Sequence, residues 1–98
     1  MALSLQEKIN WLQRFIIVHS YLYYECDYNV ISDKEYDRRA KNLAKVREKY
    51  PEEWQHSEYH DIFGDDYNGS TGFTLYHDLD DHQKEIIRAI ATSIRRKI

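Results

Sequence analysis

Apolar positions recur at helical spacing through the first quarter of the chain. Leu5, Ile9, Leu12, Ile16 and Tyr23 form one stripe, and Trp11, Phe15, Val18 and Leu22 form a second beside it. A face this wide implies more than one packing neighbour. Ser4 followed by Glu7 has the spacing of a capping box, so the pattern predicts a helix over about 5–26. A second helix is expected over about 33–50. Ser32 and Glu35 repeat the capping spacing, Asp33 sits at the positive end of the helix dipole, and Tyr36, Ala40, Leu43 and Val46 supply the apolar face. Pro51 disfavours helix in the residue before it, or else opens a short helical turn through Trp54. A third helix over about 81–97 carries Ile86, Ile87, Ile90 and Ile94, with Gln83 at capping distance from Asp80 and Arg95, Arg96 and Lys97 at its negative end.

Residues 56–79 break this rhythm. All three glycines, Gly64, Gly69 and Gly72, fall here among Asp65, Asp66, Asn68, Ser70 and Thr71, which is turn chemistry. Ile62, Phe63, Phe73, Leu75 and Tyr76 flank the glycines, so either a small hairpin or a core-anchored loop is expected. The fold class is therefore mainly α, with three principal helices and an acidic, Gly-containing loop or hairpin, in a single domain over 1–98. At 98 residues one core is the rule.

Charge is segmented. Residues 1–49 hold nine Lys/Arg and seven Asp/Glu, residues 50–83 hold nine acids and no Lys or Arg, and residues 84–98 hold five basic residues and one acid. One reading is a solvated acidic loop docked beside basic helices. The other is a partner-binding surface of Glu58, Asp61, Asp65, Asp66, Tyr67, Asp78, Asp80 and Asp81, with Trp54, Tyr59, Phe63, Phe73 and Tyr76 adding aromatic contacts. Direct binding to nucleic acid is disfavoured, because the chain is acidic overall and its basic helix (Arg38, Arg39, Lys41, Lys45, Arg47, Lys49) carries no aromatic platform.

A single cysteine, Cys26, excludes an intrachain disulfide and a cysteine-based zinc site. His56, His60 and Asp61, or His77 and His82 with their neighbouring aspartates, have ligand chemistry but no fixed mutual geometry, so no metal is expected. The longest apolar run, Phe15–Val18, is too short to span a bilayer, and the first residues lack signal-peptide order, so a cytoplasmic location is expected.

Tyr21 to Asp37 is the most specific stretch. It sets Tyr23 and Tyr24 at the end of the first helix and Asp33, Tyr36 and Asp37 on one face at the start of the second. Rings attract a cation or a flat ring, and carboxylates accept from hydroxyl or amide donors. Capping and corner packing account for the same residues without any ligand.

The run Ile31-Ser32-Asp33-Lys34-Glu35-Tyr36-Asp37, continuing to Tyr50-Pro51-Glu52, resembles the N-terminal helical subdomain of bacterial NAD-dependent DNA ligases. The resemblance covers about residues 5–53 and departs at Asn29, where that family carries proline. It implies contact with the nicotinamide mononucleotide half of NAD through Tyr23, Tyr24, Asp33, Tyr36 and Asp37. The whole chain is similar to short, stand-alone ligase-related proteins of phages and prophages. No Lys-x-Asp-Gly motif is present, so ligation is not expected and no cofactor is required, with NMN or NAD as the implied ligand. The implied roles are a non-catalytic nicotinamide-nucleotide binder or, alternatively, an inhibitor of a host or defence protein that uses the acidic surface.

Overall fold

The computed structural model describes residues 3–28, 30–69 and 74–97, with Lys97 as backbone only. Among these residues five helices follow in chain order: α1 (Leu5–Glu25), α2 (Asp33–Lys49), α3 (Pro51–Gln55), α4 (His60–Phe63) and α5 (Asp81–Lys97). The mainly α architecture is the one expected, and no strand occurs among the described residues.

Each long helix starts where its capping residues stand. Ser4 Oγ accepts from the Glu7 amide at 3.2 Å while the Ser4 amide donates to Glu7 Oε1 at 3.1 Å. Asp80 and Gln83 make the same exchange ahead of α5, at 2.8 and 3.0 Å. At α2 only half of the expected box forms. Ser32 Oγ accepts from the Glu35 amide at 3.0 Å, but the Glu35 carboxylate goes to Arg38 and Arg39. Two guanidinium groups within one turn outcompete a neutral amide. Cys26 caps α1, its amide donating to Tyr21 O at 3.3 Å, and Asp27 turns the chain with φ 51, a left-handed value that Asp tolerates.

α1 lies at the centre, packed by α5, α2 and α3. Ile9, Ile16, Ile17, Val18 and Leu22 are buried along it and meet Ala40, Leu43 and Ala44 of α2 and Ile87 and Ala91 of α5 in one cluster. The apolar stripes need correction at their rims: Leu5, Trp11 and Tyr23 are exposed, because the neighbouring helices do not reach that far around α1.

Both expectations for Pro51 hold: α2 ends at Lys49 with Tyr50 non-helical at φ −126 and ψ 64, and Pro51 opens α3, whose Trp54 is buried. No strand of a hairpin occurs among the described residues of 56–79. These form α4 and turns that fold back over the helices. Trp54 Nε1 donates to Gly64 O at 2.9 Å, and Arg47 donates to Asp65 O at 2.7 Å and Tyr67 O at 2.8 Å. Gly69 (φ +81) then passes so close to α2 that a Cβ would stand 2.9 Å from Ala40 O. The segment spends its polar backbone groups on α2 and α3, which leaves little with which to pair to itself.

This packing corrects the picture of an aromatic partner surface. Trp54, Tyr59, Phe63, Tyr67 and Tyr76 are all buried, and their rings complete the core. Tyr67 stacks on Trp54 at 6.2 Å and meets Phe63 edge-on at 4.8 Å. Phe73 lies outside the described residues.

Candidate functional site

The last turn of α1 carries Tyr23 and Tyr24, which touch edge to face at 4.8 Å and remain 40% and 41% exposed. After the turn at Asp27 the chain enters α2, whose first residue is Asp33. Asp33 and Asp37 are one turn apart and both exposed, and Asp37 pairs with Lys41 at 2.9 Å. An ion pair this open costs a competing ligand little to displace.

Tyr36 differs from the other four. Its hydroxyl is buried and has no hydrogen-bond partner among the described residues. Burial, reinforced by the neighbouring Tyr24, pushes its phenol up to about 12. Tyr23, Tyr24, Asp33 and Asp37 are thus open to solvent, whereas Tyr36 packs against the core. Aromatic faces beside carboxylates, at a helix start that directs amides outward, can hold a flat ring and accept from hydroxyl or amide donors.

A hollow lies farther along the same helices, lined by Leu12, Phe15, Arg38, Arg39, Asn42 and Val46 among others. At about 80 Å³ it is far below the roughly 300 Å³ at which pockets begin to enclose an organic ligand. Its two arginines are already engaged. Glu35 takes Arg38 at 2.6 Å and Arg39 at 2.8 Å, and Arg39 also lies 4.6 Å over the Phe15 ring. The two guanidinium groups hold the Glu35 carboxyl down to about 2.

Among the acids of 50–83, Asp61, Asp65, Asp66, Asp78, Asp80 and Asp81 are exposed. Glu58 binds Arg14 at 3.0 Å, and Asp65 binds His60 at 2.7 Å. The remaining histidines are likewise spread out: His77 meets Glu25 at 3.2 Å, and His56 Nδ1 stands 2.9 Å from Glu52 O. Among the described residues no three His, Cys, Asp or Glu side chains gather as a metal site.

Sequence reasoning missed the buried polar side chains. Gln13, Ser20 and Ser57 are almost fully enclosed. Gln13 sits one turn beyond Ile9 and one turn before Ile17, so helical spacing itself puts it on the apolar stripe.

The description "DNA ligase-like, N-terminal NAD+-binding domain" matches residues 2–57, more than half of the chain. The chain belongs to this family. It is 42% identical over 49 residues to the DNA ligase of Fervidobacterium nodosum, covering 50% of this chain and 7% of that protein. The DNA ligase of Thermoanaerobacter sp. (strain X514) is 45% identical over 47 residues, 48% of this chain and 7% of the ligase. That of Christiangramia forsetii is 40% identical over 50 residues, 51% of this chain and 8% of the ligase. The chain thus spans less than a tenth of these relatives. No solved structure matches it. All five corner residues fall inside the matched span, whereas Tyr67 and α5 lie beyond it. No helix among the described residues is long and apolar enough to cross a membrane.

Proposed function

We propose that this DNA ligase-like NAD+-binding domain binds a nicotinamide nucleotide, NMN or the corresponding half of NAD, at the α1–α2 corner without carrying out a reaction on it. The observation that carries this reading is the exposure of Tyr23, Tyr24, Asp33 and Asp37 together on one corner inside the family-matched span. Tyr23 and Tyr24 offer faces to the nicotinamide ring, which is cationic in NMN and NAD. Asp33 and Asp37 accept from its amide or from ribose hydroxyls.

These 98 residues hold no Lys-x-Asp-Gly nucleophile motif. The role assigned to them is recognition, not adenylation. With Tyr23, Tyr24, Asp33 and Asp37 all open to solvent, affinity is expected in the millimolar range, about −4 kcal/mol.

Isothermal calorimetry with NMN and with NAD tests this directly. Saturable heat that is lost in Tyr23→Ala supports the site, since an exposed ring is removed without opening the core. Absence of heat at millimolar nucleotide refutes it.

A further inference from the structure

The hollow between α1 and α2 is too small for a nucleotide, but it has room for a side chain. Leu12, Ile16, Leu43 and Val46 line it with aliphatic groups, and Phe15 adds a ring. Its volume of about 80 Å³ is about half that of an apolar cavity of roughly 150 Å³, which admits a benzene ring. One aliphatic side chain fits such a space. None of the five corner residues lines it.

The rim joins an exposed apolar line to a line of cations. Trp11, at 51%, is the most exposed large apolar side chain among the described residues, and its ring stands 5.5 Å from that of Phe15. Leu5, also exposed, lies two turns before Leu12 on the same side of α1. On α2, Arg38, Asn42, Lys45 and Lys49 follow at i, i+4, i+7 and i+11, all of them exposed. Glu35 holds both Arg38 and Arg39 and neutralises only one of the two charges. Arg39 spends its Nε on Glu35 at 2.8 Å and makes no other hydrogen bond among the described residues, so its Nη groups are free to donate.

An apolar hollow with cations on its rim complements a segment whose apolar side chain is flanked by carboxylates. Single-stranded nucleic acid fits less well, because it is held on successive open rings. Phe15 is covered by Arg39 at 4.6 Å and by His19 at 4.2 Å, which leaves Trp11 as the open ring beside the hollow. We propose that this α1–α2 groove docks an acidic peptide segment of another protein, with one aliphatic side chain in the hollow and carboxylates on Arg38, Arg39 and Lys45. The surface is opposite in sign to the acidic stretch 50–83, and the proposal does not depend on the nucleotide reading.

Trp11 fluorescence reads the groove, because Trp54, the other tryptophan, is 1% exposed and serves as an internal reference. The probe is an acetylated peptide repeating Glu-Glu-Leu. Peptides repeating Glu-Glu-Ala and Lys-Lys-Leu, and oligothymidylate, are the comparisons. Arg38→Glu and Lys45→Glu each reverse one exposed charge and leave the core in place, which thermal melts check.

The expected result is a saturable change in emission with Glu-Glu-Leu that is absent in Trp11→Phe. Affinity should fall about tenfold for Glu-Glu-Ala and for each charge reversal. No response at millimolar peptide overturns the proposal, as does an equal response to Lys-Lys-Leu or one that neither reversal weakens. A response to oligothymidylate in place of the peptide also overturns it and makes the groove a nucleic-acid site. A dimer seen by sedimentation, with Trp11 already shielded, overturns it in favour of a second copy of the chain.

Discussion

Gln13 and Ser57 are joined by a buried hydrogen bond, Gln13 Nε2 donating to Ser57 Oγ at 2.8 Å across the interface between α1 and the chain beyond α3. The other end of the same amide accepts from the Tyr59 amide at 3.2 Å. Asn10 and Arg14 extend the seam on either side, taking the Glu58 amide at 2.9 Å and reaching Tyr59 Oη at 3.1 Å. One face of α1 thus serves as a polar ladder for residues 57–59, and this is where the family-matched half is joined to the rest.

Removing Gln13 tests how much that seam contributes. Gln13→Leu keeps the volume but strands the Tyr59 amide in a dry interior, at about 1–3 kcal/mol for a buried group left unpaired. Urea denaturation is expected to show a loss in that range with an unchanged m-value. A variant as stable as wild type would mean that the amide finds water.

Gly69 is required by both its backbone and its neighbours. Its φ of +81 is strained for any residue with a Cβ, and that Cβ would stand 2.9 Å from Ala40 O and 3.1 Å from Lys41 N, which are backbone atoms and cannot yield. Gly69→Ala is expected to cost about 1–3 kcal/mol and to lower Tm by several degrees. Gly64→Ala meets only the Asp66 carboxylate at 3.2 Å, so there the positive φ is the main penalty and the loss should be the smaller of the two. Calorimetric melts of the pair check the order.

The helices were legible because their signals are local. Capping spacings at Ser4, Ser32 and Asp80 and the periodic Ile and Leu positions lie within a few residues of one another. The route of 56–79 was not, because it is decided by partners far away in sequence: Arg47 for Asp65 and Tyr67, and Ala40 for Gly69. Composition correctly marks turns there, but an aromatic among acids reads the same whether it faces solvent or the core. The corner was legible as a set of residue types. That Tyr36 packs against the core while Asp33 and Asp37 stay exposed is decided by tertiary neighbours that local spacing does not reveal.

His19 and His60 oppose each other as pH changes. Hydrogen bonding to Asp65 raises His60 above its ordinary 6.5, so its folded form binds the proton more tightly. Its stabilisation is fully present below about 6.5 and is lost as pH rises through the folded value. Burial, aided by Arg39, lowers His19 below 6.5. Its contribution is present above about 6.5 and is lost as pH falls toward the folded value. His60→Gln should therefore lose stability more steeply than wild type on acidification from about pH 8 to about pH 5, and His19→Gln less steeply. Urea midpoints across that range check both signs, and parallel curves for all three proteins would discard the argument.

Asp37 separates binding from folding. Its carboxylate is 56% exposed and pairs with a Lys41 that is 65% exposed, a surface pair of the kind that contributes about 0–1 kcal/mol. Asp37→Asn keeps the side-chain shape and the helix, so the urea midpoint is expected to stay close to wild type. If the α1–α2 corner takes nicotinamide nucleotide as proposed, the same change removes an acceptor for ligand donors and weakens NMN by about tenfold, which corresponds to about 1.4 kcal/mol for one charge-assisted hydrogen bond. Calorimetric titration beside the urea melt reads both quantities on one sample. A fall in affinity without a fall in stability assigns Asp37 to the ligand, whereas unchanged affinity removes it from the site and leaves it as the partner of Lys41 on a solvated helix face.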